Sequence, residues 1–365
     1  MRAQVKTTLL KIITDEQLDS IMVNVEQLQL KMRYLLALTF SKSKLLTSIY
    51  YVFSGEFKRE QYAVIHGKVI HLSDLLKKRN NDYLLRRNTH RIEKGLLMRP
   101  RRAVFGTRFI SETMNSFVYL IEQNKNTICN SQLKWSHDVL SEYFEVTGDH
   151  PIINQERERF KRLDIKHILN PGEKYIPYKR DLSKQNVITL EQLKELSLIR
   201  RSVRWFTNAV VPRELIDKAL EVATLAPSAC NRQPFRFQIF DDPNIVRKLA
   251  KIPSGTAGFH QNIPTLVAVI GDLTAYPYER DRHLIYIDAS LAVMPFLYAL
   301  EVQGLSSCPL NWPDIEEKER KLEQIIRTKK HERVIMFIAV GFPDENAEVA
   351  YSRKKDLAQL RSYNL

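Results

Sequence analysis

Apolar side chains recur every three to four residues through Asp15–Phe40, Glu60–Lys78, Ser111–Gln123 and Ser131–Phe144, and no proline interrupts these stretches. The spacing predicts helices, because residues three and four apart share one helix face. Beyond residue 260 the pattern changes. Ile263–Ile270 is a continuous apolar run of strand length bounded by Pro264 and Gly271, and reads as a buried strand. Arg333–Pro343 is a second strand, rich in β-branched and aromatic residues and stopped by Gly341 and Pro343. His283–Gln303 is apolar nearly all round and ends at Gly304, as a core helix with a glycine C-cap does, and Pro295 predicts a kink in it.

The punctuation predicts two domains. Pro171, Gly172 and Pro177 break the stretch Asn170–Ser183, and Thr189 with Gln192 three residues on forms a capping-box pattern at a helix start. We therefore expect a basic, mostly helical domain over 1–170, a linker over 171–188 and a second domain over 189–365. The length of 365 residues suits two domains, and 44% apolar residues are ample for their cores. Neither an internal repeat nor a low-complexity run is evident.

Charge sharpens this division. The net charge of +14 falls almost wholly in residues 1–180, which carry +12 against +2 for 181–365. The densest stretch, Lys77–Arg108, would attract phosphate, nucleic acid or an anionic membrane surface, or would simply be a solvated basic face. Within it His90 and Glu93 share a helix face as an acid/base pair or half a metal site. Cys129, Cys230 and Cys308 have no metal-ligand spacing and cannot form a disulfide framework, which suggests a reducing compartment. The N-terminus Met1–Thr8 lacks a signal-peptide pattern, and the apolar patches Tyr34–Phe40 and Leu45–Phe53 are too short to span a bilayer, so a cytoplasmic location is expected.

Candidate chemistry concentrates in two segments. Leu198–Phe206 packs Arg200, Arg201, Ser202 and Arg204 into five positions, and guanidinium forks with a hydroxyl suit a phosphate. About twenty residues on, Ala226–Phe235 offers Pro227, Ser228, Asn231 and Gln233, whose amides carry donors and acceptors for the edge of a heterocycle. Together they suggest a phosphorylated ring cofactor. A nucleophile elbow, a His-Glu-x-x-His pair, a Walker loop and a Rossmann fingerprint are all missing, which argues against those chemistries and against a resident NAD site.

The two segments, in this order and at this distance, resemble the FMN-dependent nitroreductase family over about half the chain, from near Glu191 onward. The resemblance implies an α+β fold, a sheet flanked by helices, behind the helical N-terminal domain. It implies that Arg200, Arg201, Ser202 and Arg204 grip the FMN phosphate and ribityl chain, and that Pro227, Ser228, Asn231 and Gln233 contact the isoalloxazine. A loop at Gly304–Trp312 would lay the backbone of Leu310, Asn311 and Trp312 against flavin N5. Trp312 stands where a small residue is common in the family; it would stack over the ring, gate access or simply pack. Arg353, or else Lys354, would return to the phosphate. No side-chain catalyst is required, since the flavin carries the chemistry. A homodimer with FMN at the subunit interface, two-electron reduction of a small molecule, and NAD(P)H as a transient donor in ping-pong kinetics are likewise implied. Related chemistries remain open, including flavin-dependent dehydrogenases, dehalogenases and enzymes that consume the flavin. The helical extension also resembles those preceding nitroreductase-like domains in surface-polysaccharide clusters, which would imply an anionic sugar or nucleotide ligand at Arg91, Lys94, Arg99 and Arg101. The alternative of another class is an anionic-polymer-binding or scaffold protein with a degenerate flavin fold. Charge alone supports it for nucleic acid, without the aromatic interleaving of single-strand binders.

Overall fold

The computed structural model describes residues 15–79, 82–123, 130–163, 165, 172–184 and 186–364. Residues 1–8, Cys129, Asn170 and Pro171, on which sequence expectations fall, lie outside them. Residues up to Arg59 and residues from Glu60 onward form two units. The first holds α1 (Asp15–Phe40) and α2 (Lys44–Ser54), with Ser43 capping α2 through Leu46 N–H at 3.2 Å and Gly55 ending it at φ 73°. Both helices leave apolar side chains such as Leu28, Leu35, Leu45 and Val52 exposed.

The second unit opens with helices α3 (Lys58–Leu76), α4 (Asp82–Leu96), α5 (Ile110–Gln123), α6 (Asn130–Val146) and α7 (Pro151–Lys161). The apolar stripes of α4, α5, α6 and α7 meet in a core of Leu85, Ile92, Met114, Phe117, Leu140, Tyr143 and Ile153. The expected helical spacing is therefore present, with ends shifted by at most two residues. The segment after residue 171 is tied to α6, where Asp138 accepts from Lys134 at 2.6 Å and from Tyr175 N–H at 2.9 Å. Burial pushes the Asp138 carboxyl up, but these donors and His137 pull it below the usual range.

Helix α8 (Leu190–Ile199) starts at the predicted capping box, Thr189 and Gln192 bonding each other's backbone N–H at 3.2 and 2.9 Å. Then come α9 (Arg213–Ala223), β1 (Phe235–Phe240), α10 (Pro243–Leu249), β2 (Thr265–Asp272), α11 (Leu284–Val302), β3 (Ser306–Asn311), α12 (Glu316–Glu323), β4 (Glu332–Gly341) and a short α13 (Leu357–Leu360). The strands pair antiparallel in the order β1-β2-β4-β3. Strand alternation sorts the core. Leu266, Ala268 and Ile270 face α10 and α12 with Phe337 and Ala339, while Val267 and Val269 face α9 and α11 with Ile338 and Val340. The fold is thus α+β, a sheet flanked by helices.

Helix α11 is apolar and long enough by composition to cross a membrane, yet Ala289, Val293, Phe296 and Leu300 are buried against the sheet and α9. It runs unbroken through Pro295 and closes in a Schellman arrangement, with Gly304 at φ 79° and Leu305 N–H reaching back to Leu300 O at 3.0 Å.

Helix α3 seats against the short turn Leu273–Ala275 that follows β2, joining Ala63 and Val64 to Leu273, Tyr276 and Ile285. Gly67 makes this approach possible, because a Cβ there would lie 2.6 Å from Leu273 O. A backbone atom cannot step aside as a side-chain tip does. Gly67→Ala should therefore lose about 1–3 kcal/mol in urea denaturation. Gly172→Ala, where nothing lies within 4 Å, serves as its control. Equal midpoints for the two variants would contradict the close approach.

Candidate functional site

The arginine-rich segment is strapped to the outer edge of β3. Helix α8 ends as Arg200 turns extended at ψ 115°, and Ser202 then bridges Ser307 in parallel while Val203 N–H donates to Ser307 O at 3.1 Å. Phe206, buried, fixes the far end, exchanging backbone bonds with the Asn262 amide at 2.6 and 2.9 Å. Three consequences follow along the strap. Arg201 donates to the carbonyls of Ala350 and Tyr351, so the C-terminal tail folds back onto it. Arg204 keeps an exposed guanidinium, 5.9 Å from the Phe259 ring, with only a long 3.4 Å bond to Ser202 O. Arg200 Nε and Ser307 Oγ are buried without partners. A buried donor normally has a partner, so both atoms mark a place where a polar group fits.

Glu301 lies near this strap. Its Oε2 is also buried and unpartnered, and burial raises its pKa against the opposing pull of Arg200 and Ser306. Even with Glu301 ionised, three guanidinium charges outweigh it. Cys308 beneath the strap is a buried thiol whose pKa burial raises, with Arg204 and Ser202 opposing, which leaves it a packing residue. Arg353 pairs with Asp356 at 3.1 Å on the surface and Lys354 is exposed, so it is the tail's backbone that meets the segment, through Arg201.

The second segment forms a tight turn. Cys230, Asn231 and Gln233 stand at φ 53°, 52° and 51°, in the left-handed region. Ser228 Oγ accepts from Gln233 N–H at 3.0 Å, Ser228 O from Asn231 N–H at 2.9 Å, and buried Asp288 from Ala229 N–H at 3.0 Å. Burial raises the Asp288 pKa, while Ala229 N–H, the Tyr276 hydroxyl and Arg232 oppose the rise. The Gln233 amide is committed at both ends, donating to Thr224 O at 2.8 Å and accepting from Arg86 at 2.8 Å. Its orientation is fixed from within the chain, with one amide hydrogen and one oxygen lone pair left over for a ligand. The Asn231 side chain makes no hydrogen bond among the described residues and remains available to a ligand. Pro227 is exposed at the mouth of the turn.

The third expected segment is a strand, not a loop. Leu310 and Asn311 end β3, and because Ser307 O points to the outer edge, alternation turns the Asn311 N–H outward as well. Pro309 lies between them on that edge and has no N–H to offer. Trp312 is buried against Phe337, with ring centroids 5.1 Å apart, and donates Nε1–H to Glu319 at 3.0 Å. Of the roles weighed for it, packing is the one the structure favours over a gate.

Sequence reasoning missed Arg86. From α4 its Nε reaches Asn231 O at 2.9 Å and its Nη2 reaches Gln233, while the guanidinium lies 5.6 Å from the Trp135 ring. Nothing local in the sequence marks this contact, since 145 positions separate the partners. His90 and Glu93 do share a face, at 3.1 Å, but Glu93 also accepts from Trp135 at 2.9 Å, and the described residues contain no group of three or more potential metal ligands. The expected anion contacts divide. Arg91 turns inward onto the Phe109 ring at 3.7 Å and Asn88 at 3.1 Å. Lys94 is exposed, and Arg99 and Arg101 line an open pocket of about 260 Å³ with Met98, Glu142 and Tyr178.

Residues 199–261 and 254–342 match the Nitroreductase family. Iodotyrosine deiodinase of Thermotoga neapolitana is 28% identical over 180 residues, 43% of this chain and 91% of the relative. Human iodotyrosine deiodinase 1 is 25% identical over 208 residues, 48% of this chain and 70% of the relative. Among solved structures, an FMN-dependent nitroreductase of Clostridium difficile R20291 has 23% identity and a TM-score of 0.40, covering 47% of this chain and 98% of its own. The strap, the turn and the end of β3 all fall inside the matched span, whereas Arg353 and Lys354 lie beyond it. A match to the Nitroreductase family thus spans residues 199–342, in the C-terminal half of this chain.

Proposed function

We propose that the chain is an FMN-dependent two-electron oxidoreductase that reduces a small molecule with NAD(P)H as donor. The observation that carries this reading is the strap on β3, where Arg200 Nε and Ser307 Oγ are buried and unpartnered beside two further arginines. A phosphate supplies acceptors for both atoms and a counter-charge for the guanidiniums. Arg200, Arg201, Ser202 and Arg204 would hold the phosphate and ribityl chain. Ser228 shapes the ring-binding turn, the Asn231 amide would read the ring, and the outward Asn311 N–H would donate to its edge. When bound, FMN supplies the hydride and electron transfers. The protein's part is to orient the ring, with Arg86, Asp288 and Ser228 holding the turn before any ligand arrives.

A homodimer is part of the proposal. Ile287, Leu291 and Met294, at i, i+4 and i+7 on α11, are 48%, 45% and 36% exposed, an apolar stripe on a helix whose opposite face is core. Such a stripe suits a second copy of the same helix. A reducing, cytoplasmic setting suits the free thiols Cys230 and Cys308. The relatives named iodotyrosine deiodinase favour one second reading, reductive dehalogenation at the same site, which assay with 3-iodotyrosine separates from nitro reduction.

Three measurements check the proposal. The purified protein should carry about one FMN per chain, and Arg204→Ala with Asn231→Ala should raise its Kd roughly 30-fold or more, given about 1.5–3 kcal/mol for a hydrogen bond to the charged phosphate and about 0.5–1.5 kcal/mol for one to the neutral ring. A colourless protein that takes up no added FMN would refute it. Steady-state plots against NAD(P)H at several acceptor concentrations should run parallel, and intersecting lines would rule out a donor that binds and leaves first. Leu291→Glu should convert a dimer to monomer in sedimentation, whereas an unchanged dimer would place the interface elsewhere.

A further inference from the structure

A second cluster of cations lies where the helical region meets the ring-binding turn. Arg87 and Arg91 stand one turn apart on α4, next to the Arg86 that bonds Asn231 O. Arg232 is the residue after Asn231. It is 8% exposed, its Nε is buried without a partner, its Nη1 has only a 3.4 Å bond to Ala229 O, and it lies 4.9 Å from the Tyr276 ring. His71, from α3, is 1% exposed; the Thr274 carbonyl at 2.8 Å requires a proton on Nδ1, so Nε2 is left as a buried lone pair without a partner.

Arg87 acts on each of the other three groups. Burial, then Arg87, lowers the Arg91 pKa; for Arg232 burial again leads, and Arg87 adds to it; for His71 burial outweighs the Thr274 bond, with Arg87 and Arg232 adding to the fall. The one carboxylate among the nearby charges of both His71 and Arg91 is Glu112, already accepting from Asn88 at 2.7 Å. Among the described residues no carboxylate forms an ion pair with Arg87, Arg91 or Arg232. Asp281 and Asp288 also lie near Arg232, but among the described residues neither forms an ion pair with it. Buried cations without a directly paired counter-charge are costly, and stacking on Phe109 and Tyr276 replaces only part of what water would give. Arg87 and Arg91 are only partly buried, which leaves the cluster open on one side.

We infer that Arg87, Arg91 and Arg232, with His71, form an oxyanion site between α4 and the ring-binding turn, one that takes the carboxylate or phosphate group of a small molecule. The guanidiniums supply donors, and His71 Nε2 accepts from a hydroxyl of the same ligand, as a protonated phosphate or a neighbouring alcohol provides. The inference stands apart from FMN binding, since the strap on β3 is a different set of residues. It extends the proposed function only in that an anionic electron acceptor would be held by its charged group beside the turn.

The test uses the full chain and two probes, inorganic phosphate and 4-nitrobenzoate, against chloride at matched ionic strength. Near saturation at least one should raise the thermal midpoint by roughly 2–4 °C. The shift should survive in Arg204→Ala, be lost in Arg87→Gln with Arg91→Gln, and return in part in Arg87→Lys with Arg91→Lys, which also guards against a misfolded double variant. A shift from phosphate marks a free oxyanion site. A shift from 4-nitrobenzoate alone, with its kcat/KM relative to that for nitrobenzene falling about tenfold in the glutamine variant, marks the acceptor's own carboxylate. No shift in the wild type overturns the inference. So does a shift lost in Arg204→Ala but kept in the glutamine variant, which would put the anion on the strap instead.

Discussion

Three non-glycine residues held in the left-handed region within four positions are the constraint on which the candidate site depends. Each costs about 1–3 kcal/mol relative to an ordinary backbone, so the turn Cys230–Gln233 would not keep this shape unaided. What holds it comes from three directions: the Ser228 hydroxyl from within, the Asp288 carboxylate from α11, and the Arg86 fork from α4. Hydrogen bonds to charged groups contribute about 1.5–3 kcal/mol each, comparable with the strain. The result is a turn whose Asn231 side chain makes no hydrogen bond among the described residues while its Ala229, Asn231 and Gln233 N–H groups are all taken.

The helical region thereby becomes part of the site. Arg86 lies on a helix whose own core is Leu85 and Ile92 packed on α5 and α6, so the position of the turn Cys230–Gln233 inherits the rigidity of that core. Gly67 and His71 dock α3 on the turn after β2, and Tyr83 adds a bond to Asp272 at 3.0 Å. The basic density of Lys77–Arg108 accordingly has two fates. Arg86 and Arg91 turn onto partners within the protein and Arg87 is half-buried, whereas Arg99, Arg101 and Arg102 stay exposed.

The elements with local signals were legible in the sequence. The continuous apolar run of β2, the all-round apolar α11 with its glycine stop, and the Thr189 capping box each depend on neighbours in the chain, and each is present. The strap and the turn were legible as motifs because their residue types stand close together. The contacts that give them shape were not. Arg86 on Asn231 and Ser202 on Ser307 join residues about a hundred or more positions apart, and no periodicity reports such pairing. Trp312 was ambiguous for a related reason, since only the arrival of Glu319 and Phe337 decides whether a loop indole is buried.

The strap has a second physical role. β3 is an edge strand, and an unpaired edge invites pairing with a strand of another molecule. Here Ser202 and Val203 occupy the outward groups at Ser307, and Pro309 removes the next outward donor. The residues proposed to hold a phosphate thus also shield the sheet from edge-to-edge association. A lesion that loosened this segment would cost solubility as well as the phosphate contacts proposed for it.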